Sequence, residues 1–326
     1  MGSDAIALPA VRFLQEQKAV CEVVGVFSQP DRPSGRGKHL HANPVAAWAL
    51  ENDITLLRPE RLSAGEVAWL REAAVDLIVV MAYGHILKPD LLAVPPLGVV
   101  NLHSSLLPKY RGASPIVGAI ASGEEATGVT LMEIVPEMDA GAIIDQEIVP
   151  IKPAETAIEI TEKIADACIP LLERTLSALL SVKYSKTEQD KTQASYTRKL
   201  KKEDGQLDFG LTAEELVNRH RALQPWPGSF FEYDNIVLKV GDCATDTIAE
   251  QPAECGTILE ASEKGIAIQT ASGAILIKKI QRPGGKMLSA SDFLRGFHLE
   301  TGIALNYKPS TPLVSQEPFP RKKKNP

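Results

Sequence analysis

The sequence predicts an α/β domain with a Rossmann-like, mostly parallel sheet and helices on both faces, followed by a small antiparallel, OB-like β-barrel. Up to residue 182, continuous β-branched runs alternate with helix-like segments, as in a parallel sheet buried on both faces. From residue 206 onward, short strand-like runs are separated by turn residues, which is typical of a small barrel. The length of 326 residues also exceeds that of one average domain.

The elements of the first domain, residues 1–182, follow from hydrophobic spacing. Apolar residues at helical spacing predict helices, and unbroken apolar runs predict buried strands. We expect helices over 5–17, 44–52, 66–73 and 161–182, and strands over 21–28, 53–59, 75–82, 97–103 and 126–135.

Residues 183–205 are polar, lack an apolar period and contain more Lys and Arg than Asp and Glu, which predicts a basic linker. Thr212 and Glu215 form a capping-box pattern that begins a helix. We expect the barrel to extend to residue 308 and the Pro-rich, basic tail, residues 309–326, to be disordered. The expected barrel strands are 235–244, 255–262, 265–272 and 273–281, with Ser289 or Ser291 capping a short helix.

Composition excludes several classes of protein. The net charge of −6 argues against a protein that coats nucleic acid, although local basic patches remain possible. The four cysteines are scattered without a CxxC pair, so we expect reduced thiols and no metal site. No apolar run approaches the roughly 20 residues that span a bilayer, and the start of the chain lacks a signal-peptide pattern. These features predict a cytoplasmic protein without a membrane partner.

Two polar clusters follow predicted strands, where open α/β sheets form their sites. Asn101 and His103 end the strand over 97–103, and Asp139 follows the strand over 126–135. Each cluster alone is also typical of a strand end or a turn. Together, Asn101 and a protonated His103 can donate hydrogen bonds to an oxyanion, and Asp139 can transfer a proton. Because the nucleophile motif GxSxG is absent, we favour direct acyl transfer over a covalent intermediate. The HExxH, Walker A and GxGxxG motifs are absent as well.

The motif NxHxSLLP, a downstream RG and a DxG about 30 residues later resemble the folate-dependent formyltransferases. Further segments are similar to the branch of that family that formylates methionyl-tRNA, and the likeness extends from residue 1 to about residue 300. These segments are FSQPDRPSGRGK (27–38), MAYGHILKP (81–89), LLPKYRGASPI (106–116), YTRKLKKEDGQLDF (196–209) and RALQPWPGSF (221–230).

The resemblance implies transfer of the formyl group of 10-formyltetrahydrofolate to the α-amine of initiator methionyl-tRNA, through a tetrahedral oxyanion. Asn101, His103 and Asp139 match the family's catalytic trio, and the barrel matches its tRNA-binding domain. The resemblance implies no metal and no obligate protein partner, so we expect a monomer. The implied folate contacts are Ser105, Leu106, Leu107, Pro108, Tyr83 and Ile86, and the implied tRNA contacts are Arg32, Arg36, Lys38, Lys199, Lys201 and Lys202.

One departure from the family concerns the start of the sequence. Family members begin with a short apolar strand, whereas this sequence starts at MGSD, in the loop that follows that strand. We expect the first strand to be absent, at a cost of about 1.5–3 kcal/mol for each buried apolar side chain lost. The chain as written is therefore expected to fold poorly or to be inactive.

The sequence leaves two other functions open. One is formylation of a small amine, such as a nucleotide sugar or glycinamide ribonucleotide. The basic loop over residues 31–41 and the barrel argue against it, since a small substrate needs neither. The other is a tRNA-binding module that has lost catalysis. The intact trio argues against this module, and the missing first strand argues for it.

Overall fold

The computed structural model describes residues 1–34, 39–246 and 253–320. The chain forms two compact units. The first comprises residues 1–112, 126–150 and 160–195, and the second comprises residues 113–125, 151–159 and those from 196 onward. Arg36 and Lys38, two of the expected tRNA contacts, lie outside the described residues.

The first part of the chain alternates short strands and helices. Most predicted elements are present with shifted bounds, and several short strands and helices lie where the sequence predicts none. In order, the elements are α1 (Leu8–Glu16), β1 (Val26–Phe27), β2 (Arg32–Ser34), β3 (His39–His41), α2 (Pro44–Glu51), β4 (Leu56–Leu57), α3 (Ala64–Glu72), β5 (Ile78–Val80), α4 (Pro89–Leu92), β6 (Val99–His103), β7 (Arg111–Gly112), α5 (Pro115–Ala121), β8 (Ala126–Glu133), β9 (Ile143–Pro150) and α6 (Ala157–Leu180).

The first unit contains a two-stranded sheet of β1 and β4 and a four-stranded sheet in the order β5-β6-β8-β9. β1 pairs with β4 and β5 pairs with β6 in parallel, while β6–β8 and β8–β9 are antiparallel pairs. β9 runs back along β8 because the two strands are joined by a short turn, which cannot form a parallel crossover. The predicted α/β class is confirmed, and β6 lies between β5 and β8, with a neighbour on each side.

Met1 and Gly2 lie between β1 and β5. The Gly2 N–H donates to the Phe27 carbonyl (3.0 Å), the Met81 N–H donates to the Met1 carbonyl (2.9 Å), and the Met1 ammonium donates to the Val79 carbonyl (2.7 Å). Burial lowers the pKa of the Met1 amine to about 5. A cavity of about 430 Å³ adjoins these residues, with Val11, Leu14, Val24, Trp69, Leu77 and Leu102 among its lining side chains. The expected loss of stability stays a prediction.

The elements after α6 are β10 (Tyr196–Thr197), α7 (Ala213–Ala222), β11 (Ser229–Tyr233), β12 (Ile236–Asp246), β13 (Ile258–Ser262), β14 (Gly265–Gln269), β15 (Ala274–Gln281), β16 (Leu288–Ser289), α8 (Ala290–Leu294) and β17 (Val314–Ser315). The second unit contains an antiparallel sheet in the order β11-β12-β15-β14-β13, with β16 paired to β15. The predicted second domain of antiparallel strands is confirmed, whereas its closure into an OB-like barrel stays a prediction. Thr212 and Glu215 form the predicted capping box, and Ser289 caps α8.

The polar stretch over residues 183–205 has specific contacts. β10 pairs antiparallel with β17, which lies within the tail for which the sequence predicts disorder. Arg198 donates to both carboxylate oxygens of Asp204 (2.7 and 2.8 Å), and both side chains are largely buried. The domain limits at residues 182, 205 and 308 stay predictions.

Candidate active site

His103 and Asp139 are neighbours in the first unit. His103 is the last residue of β6, and Asp139 lies in the turn that joins β8 to β9. The distance from His103 Nδ1 to Asp139 Oδ2 is 3.9 Å, with the imidazole almost fully buried and the carboxylate 21% exposed. The sheet therefore brings together an imidazole and a carboxylate that are far apart in sequence.

The orientation of the His103 ring is fixed by the Tyr110 carbonyl, which lies 3.0 Å from His103 Nε2. Because a carbonyl oxygen can only accept, Nε2 carries the hydrogen in this bond. Nδ1 is then the nitrogen that faces Asp139, and it can donate only when the ring is protonated. Tyr110 is held in turn by its own N–H, which donates to Ser195 Oγ (2.9 Å).

The Asp139 turn is held from several sides. The Gly112 N–H donates to Asp139 Oδ2 (2.7 Å), and Gln189 Nε2 donates to the Asp139 carbonyl (2.9 Å) and the Gly141 carbonyl (2.8 Å). Asp139 has φ +49°, in the left-handed region. A Cβ at Gly141 would lie 1.9 Å from the Glu133 carbonyl oxygen, so only glycine fits against β8 there.

Asn101 lies two residues before His103 on β6, and its side chain therefore projects from the same face of the sheet. It pairs in register with Val80 on β5 and Met132 on β8, so its backbone is fixed from both sides. The side chain is half-buried. An amide donor and an imidazole thus share the face that Asp139 approaches.

The corner over Ser105–Pro108 is tied to β8 and β9 by hydrogen bonds. The Ser105 hydroxyl is fully buried and donates to the Lys109 carbonyl (2.8 Å), so it stabilises the turn. Thr130 Oγ1 donates to the Ser105 carbonyl (2.6 Å) and accepts from the Leu107 N–H (3.1 Å). Gln146 Nε2 donates to the Leu107 carbonyl (3.0 Å).

Side chains of the same corner differ in their exposure. Leu107 is buried, whereas Leu106 and Pro108 are half-exposed. Leu106 packs over Gly128, where a Cβ would come within 2.5 Å of its Cδ2 atom. Leu106 and Pro108 are therefore partly accessible at this corner, whereas the Leu107 side chain is not.

The remaining expected contacts differ in their exposure. The Tyr83 ring packs in the hydrophobic core of the first unit, and burial, with a smaller effect of the Glu66 charge, raises the pKa of Tyr83. Ile86 is 77% exposed. Arg32 is exposed and pairs with Glu60 (3.0 Å). Lys199, Lys201 and Lys202 are exposed residues of the second unit.

Sequence reasoning missed two residues that support the site, Arg111 and Gln189. Arg111 is 1% exposed, and its Nε and Nη2 atoms donate to Gln189 Oε1 (3.1 and 2.7 Å). The only sequence signal for Arg111 is its place in the RG motif, and Gln189 lies in a polar stretch without periodicity, which gives no signal. Within the described ranges, no cluster of His, Cys, Asp and Glu is arranged to hold a metal ion, and no helix is long and apolar enough to cross a membrane.

Two stretches of the chain match known protein families. The family described as formyl transferase matches residues 5–176, and the formyl transferase C-terminal domain matches residues 199–298. The methionyl-tRNA formyltransferase of Geobacter sulfurreducens is 39% identical over 306 residues, covering 94% of this chain and 95% of the relative. Proteins of the same name from Roseiflexus castenholzii and Thermus thermophilus are 39% and 37% identical, over 94% and 93% of this chain and 97% of each relative.

Two solved structures show the same fold at lower identity. An N-formyltransferase from Helicobacter canadensis, in complex with folinic acid and dTDP-3-aminofucose, has a TM-score of 0.64 at 19% identity. The match covers 86% of this chain and 97% of the Helicobacter canadensis protein. A sugar 3N-formyltransferase, WlaRD, in the presence of dTDP and 5-N-formyl-THF, has a TM-score of 0.63 at 20% identity, covering 87% of this chain and 97% of that chain.

Proposed function

We propose that this chain, which belongs to the methionyl-tRNA formyltransferase family, transfers the formyl group of 10-formyltetrahydrofolate to the α-amine of methionine on initiator tRNA. The observation that supports this most strongly is 37–39% identity to relatives of that name over 93–94% of the chain. The distance of 3.9 Å between His103 Nδ1 and Asp139 Oδ2 supports a catalytic role for the same chain.

The reaction forms one C–N bond and breaks another. The neutral amine attacks the formyl carbon, the resulting tetrahedral oxyanion collapses, and the bond from the formyl carbon to the donor nitrogen breaks. The proton lost by the amine balances the one gained by the released donor nitrogen. The protein therefore needs hydrogen-bond donors for the oxyanion and a group that accepts a proton.

Asn101 and His103 supply the donors in this proposal. Both side chains project from the same face of β6, whose backbone is fixed between β5 and β8. The Tyr110 carbonyl engages His103 Nε2, so Nδ1 is the nitrogen available to donate when the ring is protonated. Donors fixed before the reaction stabilise developing charge without reorganisation, and one such donor contributes about 10²–10³-fold in rate.

Asp139 accepts the amine proton, directly or through a water molecule. The Gly112 N–H fixes the direction of the carboxylate, and a side chain that is 21% exposed remains accessible to water. General acid–base catalysis of this kind contributes about 10²–10⁴-fold in rate. Ser105 takes no part as a nucleophile, because its hydroxyl donates to the Lys109 carbonyl.

The formyl donor is assigned to the corner at Ser105–Pro108, where Leu106, Pro108 and backbone groups face a flat ligand. Two structural neighbours with folinic acid and 5-N-formyl-THF support a folate donor. We assign tRNA phosphates to the basic residues named below, since Lys and Arg contacts of this type position a nucleic acid without reading its sequence. The enzyme is expected to act in the cytoplasm as a monomer. The remaining assigned contacts are Tyr83 and Ile86 for the donor, and Arg32, Arg36, Lys38, Lys199, Lys201 and Lys202 for tRNA.

Formylation of an amino sugar is the second candidate, because the two structural neighbours described above are sugar or N-formyltransferases. Incubating the full chain with 10-formyltetrahydrofolate and either methionyl-tRNA or a dTDP-linked amino sugar separates the two. We expect formyl transfer to methionyl-tRNA and none to N-acetylmethionyl-tRNA, which lacks a free amine. Transfer to the sugar but not to methionyl-tRNA would refute the proposal. Tight tRNA binding without turnover would indicate a module that has lost catalysis.

A further inference from the structure

We propose that Gln189 is a positioning residue for formyl transfer, which holds the Asp139 turn in place opposite His103. The proposal rests on the proposed function for its kinetic readout. Gln189 lies in the stretch that the sequence predicts as a linker, yet its side chain is only 8% exposed and lies within the first unit.

Both hydrogens of the Gln189 amide bind the Asp139 turn. Nε2 donates to the Asp139 carbonyl (2.9 Å) and the Gly141 carbonyl (2.8 Å). Asp139 needs such support, because φ +49° is uncommon for a residue with a side chain. Backbone conformations of this kind persist only where their surroundings fix them.

The oxygen of the same amide binds the segment that contains Arg111. Gln189 Oε1 accepts from Arg111 Nε and Nη2 (3.1 and 2.7 Å), and Arg111 directly precedes Gly112. The Gly112 N–H is the donor that fixes Asp139 Oδ2 (2.7 Å). A single buried amide thus joins the two segments that together set the position of the Asp139 carboxylate.

The segment that contains Gln189 is anchored on both sides. Thr187 and Ile143 exchange two backbone hydrogen bonds of 2.8 Å each. On the other side, the Ser195 carbonyl accepts from the Arg111 N–H (2.8 Å). The Gln189 backbone is therefore held in place, so that its amide can act as a support for the turn.

The variant Gln189→Glu isolates the contact with the turn. A carboxylate still accepts from Arg111 but has no hydrogens for the Asp139 and Gly141 carbonyls, and it places an oxygen against them. The matched control is Gln193→Glu, the same substitution at an exposed position in the same segment, where the amide donates to the exposed Asp190 carboxylate (2.9 Å) rather than to the Asp139 turn. We expect kcat of Gln189→Glu to fall about 10–100-fold with KM for methionyl-tRNA within about 3-fold, because displacing a catalytic group by about 1 Å can cost 10²-fold. Gln193→Glu should retain the wild-type kcat.

A double-mutant cycle separates positioning from a purely structural role. If Gln189 acts through the carboxylate of Asp139, adding Gln189→Glu to Asp139→Asn should lower kcat by less than about 3-fold, because coupled residues are not additive. A full additional loss of about 10-fold or more in that background would overturn the proposal.

Hydrogen exchange at the Gly112 amide tests the same point without substrate. Because Asp139 protects this amide, we expect it to exchange about 10-fold faster in Gln189→Glu but not in Gln193→Glu, while amides of β8 stay unchanged. Unchanged exchange at Gly112 would overturn the proposal. If the Glu variant unfolds, Gln189→Met, of similar length, replaces it. Faster exchange in a chain that does not formylate methionyl-tRNA would support the positioning role and refute the proposed function instead.

Discussion

Gly141→Ala tests whether the close approach of the Asp139 turn to β8 matters for catalysis. A Cβ on Gly141 would lie 1.9 Å from the carbonyl oxygen and 2.8 Å from the carbonyl carbon of Glu133. Both are backbone atoms of β8, which is paired on both sides and cannot easily retreat. A non-bonded carbon–oxygen contact needs at least about 3 Å, so the turn must move by at least about 1 Å. Asp139 lies two residues away and moves with it.

A displacement of this size predicts a large kinetic effect. Misplacing a catalytic group by about 1 Å can cost about 10²-fold, so we expect kcat of Gly141→Ala to fall by about that factor with little change in either KM. The assay is the initial rate of transfer from labelled 10-formyltetrahydrofolate to methionyl-tRNA at saturating substrate, with a thermal melt to confirm folding.

The matched control is Gly65→Ala in α3, where a new Cβ would approach nothing closer than Ser63 Oγ at 3.6 Å. This variant should keep the wild-type rate, and it should be stabilised by about 0.5–1 kcal/mol because alanine is favoured over glycine in a helix. A folded Gly141→Ala variant with kcat within about 3-fold of wild type would refute the reasoning.

Two further predictions concern stability. Thr130→Val removes the hydroxyl that binds the corner at Ser105–Pro108 and should lower the free energy of unfolding in urea by about 1–3 kcal/mol. The control Thr127→Val removes a buried hydroxyl on the same strand that has no hydrogen-bond partner among the described residues, and it should leave the free energy of unfolding unchanged. Equal losses of stability in the two variants would contradict this prediction. Burial lowers the pKa of His220 from its ordinary value of 6.5, with a smaller opposing effect of the Asp242 charge, so the unfolded chain binds a proton first as the pH falls. The free energy of unfolding should therefore decrease as the pH drops below about 6.5, and His220→Gln should make that decrease smaller. The measurement is urea unfolding at pH 7.5 and 5.5. The same decrease in the variant as in the wild type would contradict the prediction.

Local chemistry explains what the sequence could predict. Asn101 and His103 follow an apolar run whose end could be recognised, and the predicted capping box at Thr212 and Glu215 is confirmed because it depends on residues three positions apart. The resemblance to formyltransferases is also confirmed, since two formyl transferase family models match the chain and a relative named methionyl-tRNA formyltransferase is 39% identical over 94% of it.

Long-range pairing explains what the sequence could not predict. The antiparallel pairing of β6 with β8 depends on which strands lie side by side, and no local pattern encodes that. The strand predicted over 21–28 is reduced to Val26–Phe27, where β4 provides a partner. The contact between Arg111 and Gln189 joins residues 78 positions apart, and both residue types are usually exposed. Their burial becomes visible only once the sheet is folded.

The role of Asp139 is the central claim, and Asp139→Asn tests it most directly. The substitution keeps the size of the side chain and its acceptor for the Gly112 N–H, but removes the charge and the capacity to take up the amine proton. The measurement is single-turnover formyl transfer to methionyl-tRNA by wild-type and Asp139→Asn protein with matched melting temperatures. We predict a loss of at least about 10²-fold in rate, the scale of general acid–base catalysis. A rate within about 3-fold of wild type would contradict the account.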